Sequence, residues 1–315
     1  FSSTVKSPVC AISCLMADLV PSAVVSGFFW LLLVLLETAN AAEFFQITDA
    51  HVNLAYPKGC ACGDTCGKFA DFYCGSSPEL YRSAAAAMAR DAGGTASFVA
   101  HTGDVSDVWN TPNLDSIYAA NEFSAKSQMQ AFPSDTPLFF SFGNHDFPSA
   151  VIPSPMDCPY YRGCAPHYAR ICSAWARDLG DDALAQCSAT GYYFVDGKVP
   201  GVRVIVLNTQ LFNWEGGVDL SNRTHAAEAD AHLDWLEASI ASAPGKVFVL
   251  GHVPPAAAIP FSEEGYTDGK AEDGFAAPGT RTWWPQHIER YQSITAAVPG
   301  KVTVQIFGHI HIDTF

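Results

Sequence analysis

Basic side chains are scarce in this chain of 315 residues. Its 17 Lys and Arg stand against 32 Asp and Glu, which leaves a formal net charge of -15. Proteins that hold a nucleic-acid backbone present clustered Lys and Arg, so the composition argues against a nucleic-acid partner. It does not argue against a small phosphate ligand, because bound metal ions can supply the positive charge locally.

The chain also lacks any internal repeat or low-complexity tract. Because 49% of its residues are hydrophobic, there is enough apolar material for one large core or two modest ones. We therefore predict a single globular domain over residues 42–315, behind an N-terminal leader over residues 1–41.

The leader lacks the basic segment of an ordinary export signal, since only Lys6 precedes its apolar run. The run itself, Ala23–Leu36, is uncharged and is followed by an A-x-A tripeptide at residues 39–41, a pattern typical of a cleaved signal peptide. A membrane anchor is the alternative, but a span needs about 20 apolar residues, so no stable membrane span is predicted. A true start at Met16 would give a signal peptide of normal length. The leader predicts a secreted, extracellular or lysosome-like protein.

The first cysteine cluster contains no CxxC pair, which argues against a zinc knuckle. Eight cysteines follow the leader in two clusters of four, and an even count in an exported chain predicts disulfides formed within each cluster. Asn222 begins an N-glycosylation sequon, which is meaningful only if the chain is exported. The disulfide candidates are Cys60, Cys62, Cys66, Cys74, Cys158, Cys164, Cys172 and Cys187.

Short apolar runs that end in polar residues predict six β-strands. A capping serine, Ser77, starts a predicted helix that Gly93 ends, and Ala256–Arg281 is predicted to be a long surface loop. Strands that alternate with helices predict an α/β core built largely of parallel strands. The predicted strands are Glu43–Thr48, Ala96–His101, Pro137–Phe142, Val202–Leu207, Lys246–Leu250 and Lys301–Phe307, and the other predicted helices are Ala226–Ser242 and Trp284–Ala297.

Five of the six predicted strands end in unusual polar residues. Ligands of open α/β sheets bind at the carboxyl ends of the strands, so five loops would bring Asp, His and Asn side chains to one edge. Side chains alternate along extended backbone, so Asp49 with His51, and His309 with His311, can each converge on one site. The strand-end motifs are DAH at residues 49–51, GDVSD at 103–107, GNHD at 143–146, GH at 251–252 and GHIH at 308–311.

Any one of these motifs alone is better explained as an ordinary buried or surface residue. All five together, each at a strand end, predict a metal centre. Glycines that precede four of the polar residues would let the backbone turn sharply or approach a ligand closely. A mixed imidazole and carboxylate set suits zinc, manganese or iron rather than calcium.

The motifs D-x-H, GDxxD, GNHD, GH and GHxH, in that order, resemble those of the calcineurin-like metallophosphoesterases. Neighbouring segments resemble the acid sphingomyelinase-like phosphodiesterases within that family, and the resemblance covers Glu43–Phe315. It implies an α/β (α+β) fold, a four-layer sandwich with two central sheets flanked by helices. In the family the second sheet continues past GHxH, so we expect the native chain to extend beyond Phe315, with its C-terminal strands missing here. The segments that resemble the acid sphingomyelinase-like phosphodiesterases are Leu207–Trp214, Leu233–Ile240, Gly251–Pro255 and Phe307–Phe315.

The resemblance also implies two divalent metal ions, with zinc favoured. Asp49, His51 and His311 would bind the first metal, and Asn144, His252 and His309 the second. Asp104 would bridge both metals. His145 matches the family histidine that lies beside the phosphate and assists the leaving group, while Asp107 would orient a ligand or loop. The histidines that match no family ligand are expected to be structural or surface residues: His101, His167, His225, His232 and His287.

The function that the resemblance implies is a secreted phosphodiesterase that cleaves its substrate with a metal-activated hydroxide. Acid sphingomyelinases carry a histidine in the segment that corresponds to Gly103–Trp109, and this sequence has none there. They also carry a saposin domain, and only the leader precedes Glu43. Small soluble phosphodiesters or nucleotides are therefore the favoured substrates over phospholipid. The alternatives are a phosphomonoesterase of the acid phosphatase kind, a true sphingomyelinase, and a secreted binding protein without catalysis.

Overall fold

Two four-stranded sheets form the centre of the molecule in a computed structural model. The structure describes residues 2–4, 43–58, 60, 67–69, 74–94, 96–107, 113–147, 165–213, 223–255 and 282–311. The first sheet has the order β1 (Ser2–Thr4), β2 (Phe44–Ile47), β3 (Phe98–His101) and β4 (Leu138–Phe140). The second has the order β5 (Tyr193–Val199), β6 (Val202–Val206), β7 (Lys246–Leu250) and β8 (Val302–Ile306).

Parallel pairing dominates both sheets. Strands β2, β3 and β4 run parallel, as do β6, β7 and β8, whereas β1 and β5 are antiparallel edge strands. Helices connect the parallel strands, as parallel pairing requires. The predicted core of largely parallel strands is confirmed. The helices are α1 (Pro78–Ala92), α2 (Leu114–Ala131), α3 (Ala165–Ala174), α4 (Gly180–Thr190), α5 (Arg223–Ser242) and α6 (Pro285–Ala296).

The sheets pack face to face. The ring of Phe98 in β3 lies 5.8 Å from the ring of Phe248 in β7, and Val204 and Val206 of β6 belong to the same buried cluster. Ile205, which points to the opposite face of β6, packs instead with the apolar sides of α5 and α6. Helices α1 to α4 contribute to the core around the first sheet. The predicted four-layer sandwich is confirmed.

Helix α1 begins and ends as its sequence predicts. The Ser77 hydroxyl accepts a hydrogen bond from the Leu80 amide, and Gly93 closes the helix with a left-handed φ of 54°. Helix α2 was not predicted individually, because its buried face carries polar side chains, among them Asn121 and Gln128, which weaken the apolar period. Strand β5 was missed for a similar reason, since Asp196 and a glycine interrupt its apolar run.

Among the described residues two disulfides form, Cys60–Cys74 and Cys172–Cys187, each within one of the predicted clusters. Helices among the described residues are all too short or too polar to cross a bilayer. Several predictions fall outside the described residues: the signal-peptide run and its cleavage site, the loop Ala256–Arg281, the glycosylation candidate Asn222, and Cys62, Cys66, Cys158 and Cys164.

Candidate metal centre

The carboxyl ends of the two sheets meet at one place, where the predicted ligands converge. The amide of Gln46, in β2, donates hydrogen bonds to Thr102 Oγ1 at 2.8 Å and to the Phe307 carbonyl at 2.7 Å. Because Thr102 follows β3 and Phe307 follows β8, one side chain ties the edges of both sheets together. Five strand ends therefore deliver their side chains to one place. These are Asp49 and His51 after β2, Asp104 after β3, Asn144 after β4, His252 after β7, and His309 and His311 after β8.

The first group of donor atoms comprises Asp49, His51, Asp104 and His311, whose atoms all lie within 4.8 Å of one another. Nε2 of His311 is 3.2 Å from Oδ1 of Asp49 and 3.3 Å from Nε2 of His51. Metal–ligand bonds of about 2.0–2.2 Å place neighbouring donors about 2.8–3.6 Å apart, depending on coordination geometry. These two separations match those of donors around one cation, and Nε2 of His51 lies slightly farther from Oδ2 of Asp104, at 3.8 Å.

The second group comprises Asp104, His252 and His309. Nε2 of His252 lies 3.2 Å from Oδ2 of Asp104 and 3.0 Å from Oδ1 of Asn144. Asp104 belongs to both groups, so the structure brings together all seven side chains in the two sets that the resemblance implies. The two groups differ in exposure, since His252 is buried whereas the His311 side chain is 44% exposed. Within the described part of the chain, the first group is therefore the more exposed of the two.

Hydrogen bonds orient the donors. The Nδ1 atom of His252 lies 2.7 Å from the Thr102 carbonyl and donates to it, which leaves Nε2 facing Asp104. Oδ2 of Asp49 accepts from the Thr48 hydroxyl at 2.6 Å and from the His309 amide at 2.9 Å. The other oxygen, Oδ1, lies 3.2 Å from Nε2 of His311 and 4.0 Å from Nε2 of His252. A buried carboxylate oxygen that faces two imidazole nitrogens fits a cation ligand.

The electrostatics of the centre also favour cations. Burial alone would raise the pKa of Asp49 and of Asp104, but the positive charge of His252 holds the pKa of both carboxyls well below the usual range. Burial alone would lower the pKa of His252, but Asp104 and Asp49 raise it to about 9. A proton on His252 thus neutralises part of the buried negative charge, and divalent cations would neutralise it more completely. The residues present fit a two-metal centre.

Backbone strain is concentrated at these residues. Among the described part of the chain, the non-glycine residues with positive φ are all candidate ligands. Such conformations are uncommon for residues with a Cβ atom, and they cluster at functional sites because the surrounding structure holds them there. Close packing adds to the constraint, since a Cβ atom at Gly308 would overlap the Thr48 hydroxyl. The five φ angles are 51° at Asp49, 43° at His51, 53° at Asp104, 73° at His309 and 55° at His311.

His145 lies beside both groups. Its ring meets the His51 ring edge to face, with centroids 4.7 Å apart, and its backbone amide donates to Oδ1 of Asp104 at 2.7 Å. Burial lowers the pKa of the His145 imidazole to about 4, against the opposing effect of Asp104. This position suits a group that contacts a substrate rather than one that holds a cation.

Asp107 is buried behind His51. Its amide donates to the Val52 carbonyl at 3.3 Å, and a Cβ atom at Gly75 would lie 2.6 Å from its Oδ2. Four further histidines with described side chains are buried and belong to neither group: His101, His167, His232 and His287. Burial lowers the pKa of His101 and of His232 to about 3. The side chain of His225 lies outside the described residues.

Sequence reasoning assigned no role to Asp146, Thr48 or Thr102. Asp146 is completely buried and accepts hydrogen bonds from the loops that carry Asp104 and Asn144. Burial and the neighbouring Asp104 raise the pKa of Asp146 to about 7. Its place as the last residue of the GNHD motif was a signal for it. Thr102 orients His252 through its backbone carbonyl, a group that every residue has, so the sequence does not indicate this role.

Comparisons with known proteins identify the family of the chain. The sequence profile for the calcineurin-like phosphoesterases matches residues 43–313. The chain is 26% identical over 296 residues to a mouse protein named cyclic GMP-AMP phosphodiesterase SMPDL3A, covering 86% of this chain and 58% of the mouse protein. It is 26% identical over 305 residues to human acid sphingomyelinase-like phosphodiesterase 3b, covering 88% and 58%.

A more distant relative is human sphingomyelin phosphodiesterase, 26% identical over 226 residues, which are 68% of this chain and 30% of the human protein. Among solved structures, the purple acid phosphatase PPD1 from yellow lupin (Lupinus luteus) seeds aligns with a TM-score of 0.41 and 16% identity. That alignment covers 85% of this chain and 37% of the lupin chain. The chain thus spans only part of the length of each relative that it matches.

Proposed function

Because the chain belongs to the calcineurin-like phosphoesterase family, we propose that it is a two-metal phosphodiesterase acting on small soluble phosphodiesters or nucleotides. The observation that carries the proposal is the position of Asp104. Its carboxylate belongs to both groups of candidate ligands, so one residue would join two cations. A pair of cations that share a carboxylate is suited to phosphoryl transfer, where both the attacking and the leaving oxygens need stabilising.

Each of the two groups of ligands would bind one cation. Asp49, His51 and His311 would hold one cation, and Asn144, His252 and His309 the other, with Asp104 between them. When bound, the two cations would supply positive charge for the phosphoryl oxygens and lower the pKa of a water molecule. The mixed set of imidazole nitrogens and carboxylate oxygens suits zinc, manganese or iron, and we propose zinc because of the family resemblance.

The side chains of this chain have complementary roles in the proposal. The exposed His311 marks the side from which a substrate enters. The His145 ring packs against the His51 ring of the first group, and from there it would donate a hydrogen bond to the departing oxygen. The buried His252 and its hydrogen bond to Thr102 keep the inner part of the centre rigid.

The proposed substrate class draws on the names of the relatives. Two of them are named as phosphodiesterases of cyclic GMP-AMP or of the acid sphingomyelinase-like type, and a third as a sphingomyelin phosphodiesterase. The segment after Asp104 lacks the histidine that the sphingomyelinases carry, which favours soluble diesters over a phospholipid. We further propose that the protein is exported, since the leader pattern and two disulfides are typical of oxidising compartments.

The test is to measure the metal content of the purified full chain, together with its turnover of two matched substrates, bis-p-nitrophenyl phosphate and p-nitrophenyl phosphate. We expect two divalent ions per chain and faster cleavage of the diester. Preference for the monoester would make the protein a phosphomonoesterase. Bound metal without any turnover, or no bound metal, would leave a binding protein.

Substrate choice needs a second measurement with zinc present, in which a cyclic dinucleotide and ATP are compared with sphingomyelin in vesicles. We expect turnover of the soluble substrates. Efficient release of phosphocholine from vesicles, with little action on the nucleotides, would reject the proposed substrate class while leaving the two-metal centre in place.

A further inference from the structure

Beneath the candidate metal centre lies the buried carboxylate of Asp146, which belongs to neither group of candidate ligands. Its Oδ2 accepts hydrogen bonds from the backbone amides of Asp104 at 3.0 Å and Gly143 at 2.9 Å. Its Oδ1 accepts from the Val105 amide at 3.0 Å and from the Asn121 side chain at 3.3 Å. Four donors from three different segments thus converge on one carboxylate.

Three of these donors lie in the two loops that carry candidate metal ligands. The amides of Asp104 and Val105 belong to the loop after β3, and the Gly143 amide to the loop after β4, which leads into Asn144. The loops are also joined in the opposite direction, because Oδ1 of Asp104 accepts from the amide of His145 at 2.7 Å. Each loop therefore holds the other through a buried carboxylate.

The hydrogen bond from the Asp104 amide to Asp146 constrains the backbone at Asp104. Asp104 has a left-handed φ of 53°, a conformation that a residue with a Cβ atom keeps only when its surroundings impose it. The hydrogen bond from its amide to Asp146 is one such constraint. If that constraint is lost, the Asp104 carboxylate can rotate away from the position where it faces both groups.

Helices α2 and α3 hold Asp146 from behind. The Asn121 amide that donates to Oδ1 is itself fixed by the Trp175 indole, which donates to Oδ1 of Asn121 at 3.2 Å. The His167 ring lies 2.8 Å from the Asp146 carbonyl and donates to it through Nε2. These hydrogen bonds explain why α2 buries part of a polar face. Burying polar groups costs free energy unless they are hydrogen-bonded.

We propose that Asp146 is a positioning residue, which fixes Asp104 and Asn144 relative to each other and so sets the affinity of the centre for both metal ions. This inference rests on the proposed two-metal centre. The position requires a side chain with two acceptor oxygens, because two donors converge on each oxygen of Asp146, and among side chains of this size only that of aspartate carries two oxygens. An asparagine there would turn an NH₂ group toward backbone amides.

The experiment compares Asp146→Asn with a matched control, Asp178→Asn. Asp178 is also a buried carboxylate, and it accepts from the Leu138 amide at 3.0 Å and from Arg177 at 2.8 Å. Its partner Leu138 begins β4, so Asp178 supports the opposite end of that strand from the metal centre. The readouts are zinc affinity by competition with a chelator, the visible spectrum of the cobalt-substituted protein, and the melting temperature of the metal-free protein.

We expect both variants to melt at a lower temperature and only Asp146→Asn to bind metal more weakly. The loss should be about 10–100-fold for both ions, the usual effect of removing a partner that orients a ligand. Its cobalt spectrum should also change, because Asp104 contributes to both sites. The Asp178→Asn variant should keep the affinity and spectrum of the wild type.

If Asp146→Asn does not fold, the Asn121→Ala variant tests the proposal instead, because it removes one donor and leaves three backbone amides on Asp146. A smaller loss of metal affinity in the same direction would support the proposal, and unchanged affinity would overturn it. Wild-type affinity and spectrum in Asp146→Asn would overturn this inference alone. A wild-type protein that binds no divalent metal would overturn the proposed function, and this inference with it.

Discussion

Nε2 of His252 lies 3.2 Å from Oδ2 of Asp104, although the two residues follow strands of different sheets. This contact crosses the junction of the sandwich, and both side chains are buried. Each group of candidate ligands likewise draws residues from both sheets. Cations bound there would therefore stabilise the packing of one sheet on the other, and metal binding would be coupled to folding.

Replacing Asp104 with alanine should deplete both metal ions, because this carboxylate alone belongs to both groups. Turnover should fall by about a thousandfold or more, since several kcal/mol of transition-state stabilisation are lost with the cations. Metal analysis of the purified variant checks the expectation. A matched control is His311→Ala, which should lose the first ion and retain the second. Full occupancy of one site in Asp104→Ala would show that Asp104 is not the bridge.

His145→Ala should lower turnover by about 10²–10⁴-fold, the usual contribution of a positioned acid or base. Its metal content should remain close to that of the wild type, because the hydrogen bond to Asp104 comes from the backbone amide, which alanine retains. Metal analysis and steady-state kinetics of the same sample check both parts. If the variant lost metal instead, His145 would have to be reassigned as a ligand.

The two disulfides should differ in their effect on the metal centre. Cys74 precedes Gly75, which lies so close to the His51 carbonyl that a Cβ atom there would overlap it. Replacing Cys60 and Cys74 with serine should therefore weaken binding at the first group as well as stability. Replacing Cys172 and Cys187, which link α3 to α4, should affect stability alone.

These two pairs are well matched, with sequence separations of 14 and 15 residues. Loops of this size predict a stabilisation of about 3 kcal/mol for each bond. Unfolding by denaturant and titration with zinc, performed on both double variants, separate the two effects. Equal metal affinity in both variants would show that the Cys60–Cys74 bond does not support His51.

His232 should make the protein less stable in acid. Its ring stacks on Tyr192 at 3.8 Å, neither ring nitrogen has a hydrogen-bond partner among the described residues, and burial lowers its pKa to about 3. The unfolded chain binds a proton at this residue below a pH of about 6.5, whereas the folded chain does not until far lower pH. Stability from the neutral ring is therefore complete above that pH and is lost as the pH falls.

A His232→Phe variant should remove this acid sensitivity. Between pH 8 and pH 5, the free energy of unfolding of the wild type should fall by about 2 kcal/mol more than that of the variant. Denaturant unfolding at both pH values checks this, and the difference at pH 8 reports packing alone because the ring is neutral in both states. Parallel pH dependence of the two proteins would contradict the assignment of a depressed pKa to His232.

Much of the fold was predictable because its signals are local. All six predicted strands exist, since each is an apolar run closed by polar residues, and Ser77 and Gly93 bound helix α1 as expected. Helix α2 was not predicted, because Asn121 and its neighbours place polar groups where an apolar face is expected. The candidate ligands were recognisable from five short motifs at the strand ends.

The sequence by itself determined which side chains stand at the strand ends, because strand formation and the glycine turns depend on neighbouring residues. Only the tertiary structure decided that His252 would reach Asp104, since that contact depends on how the faces around Phe98 and Phe248 pack. It also decided the role of Asp146. The donors to this carboxylate are mostly backbone amides, which every residue but proline possesses. No pattern of side chains therefore predicts them.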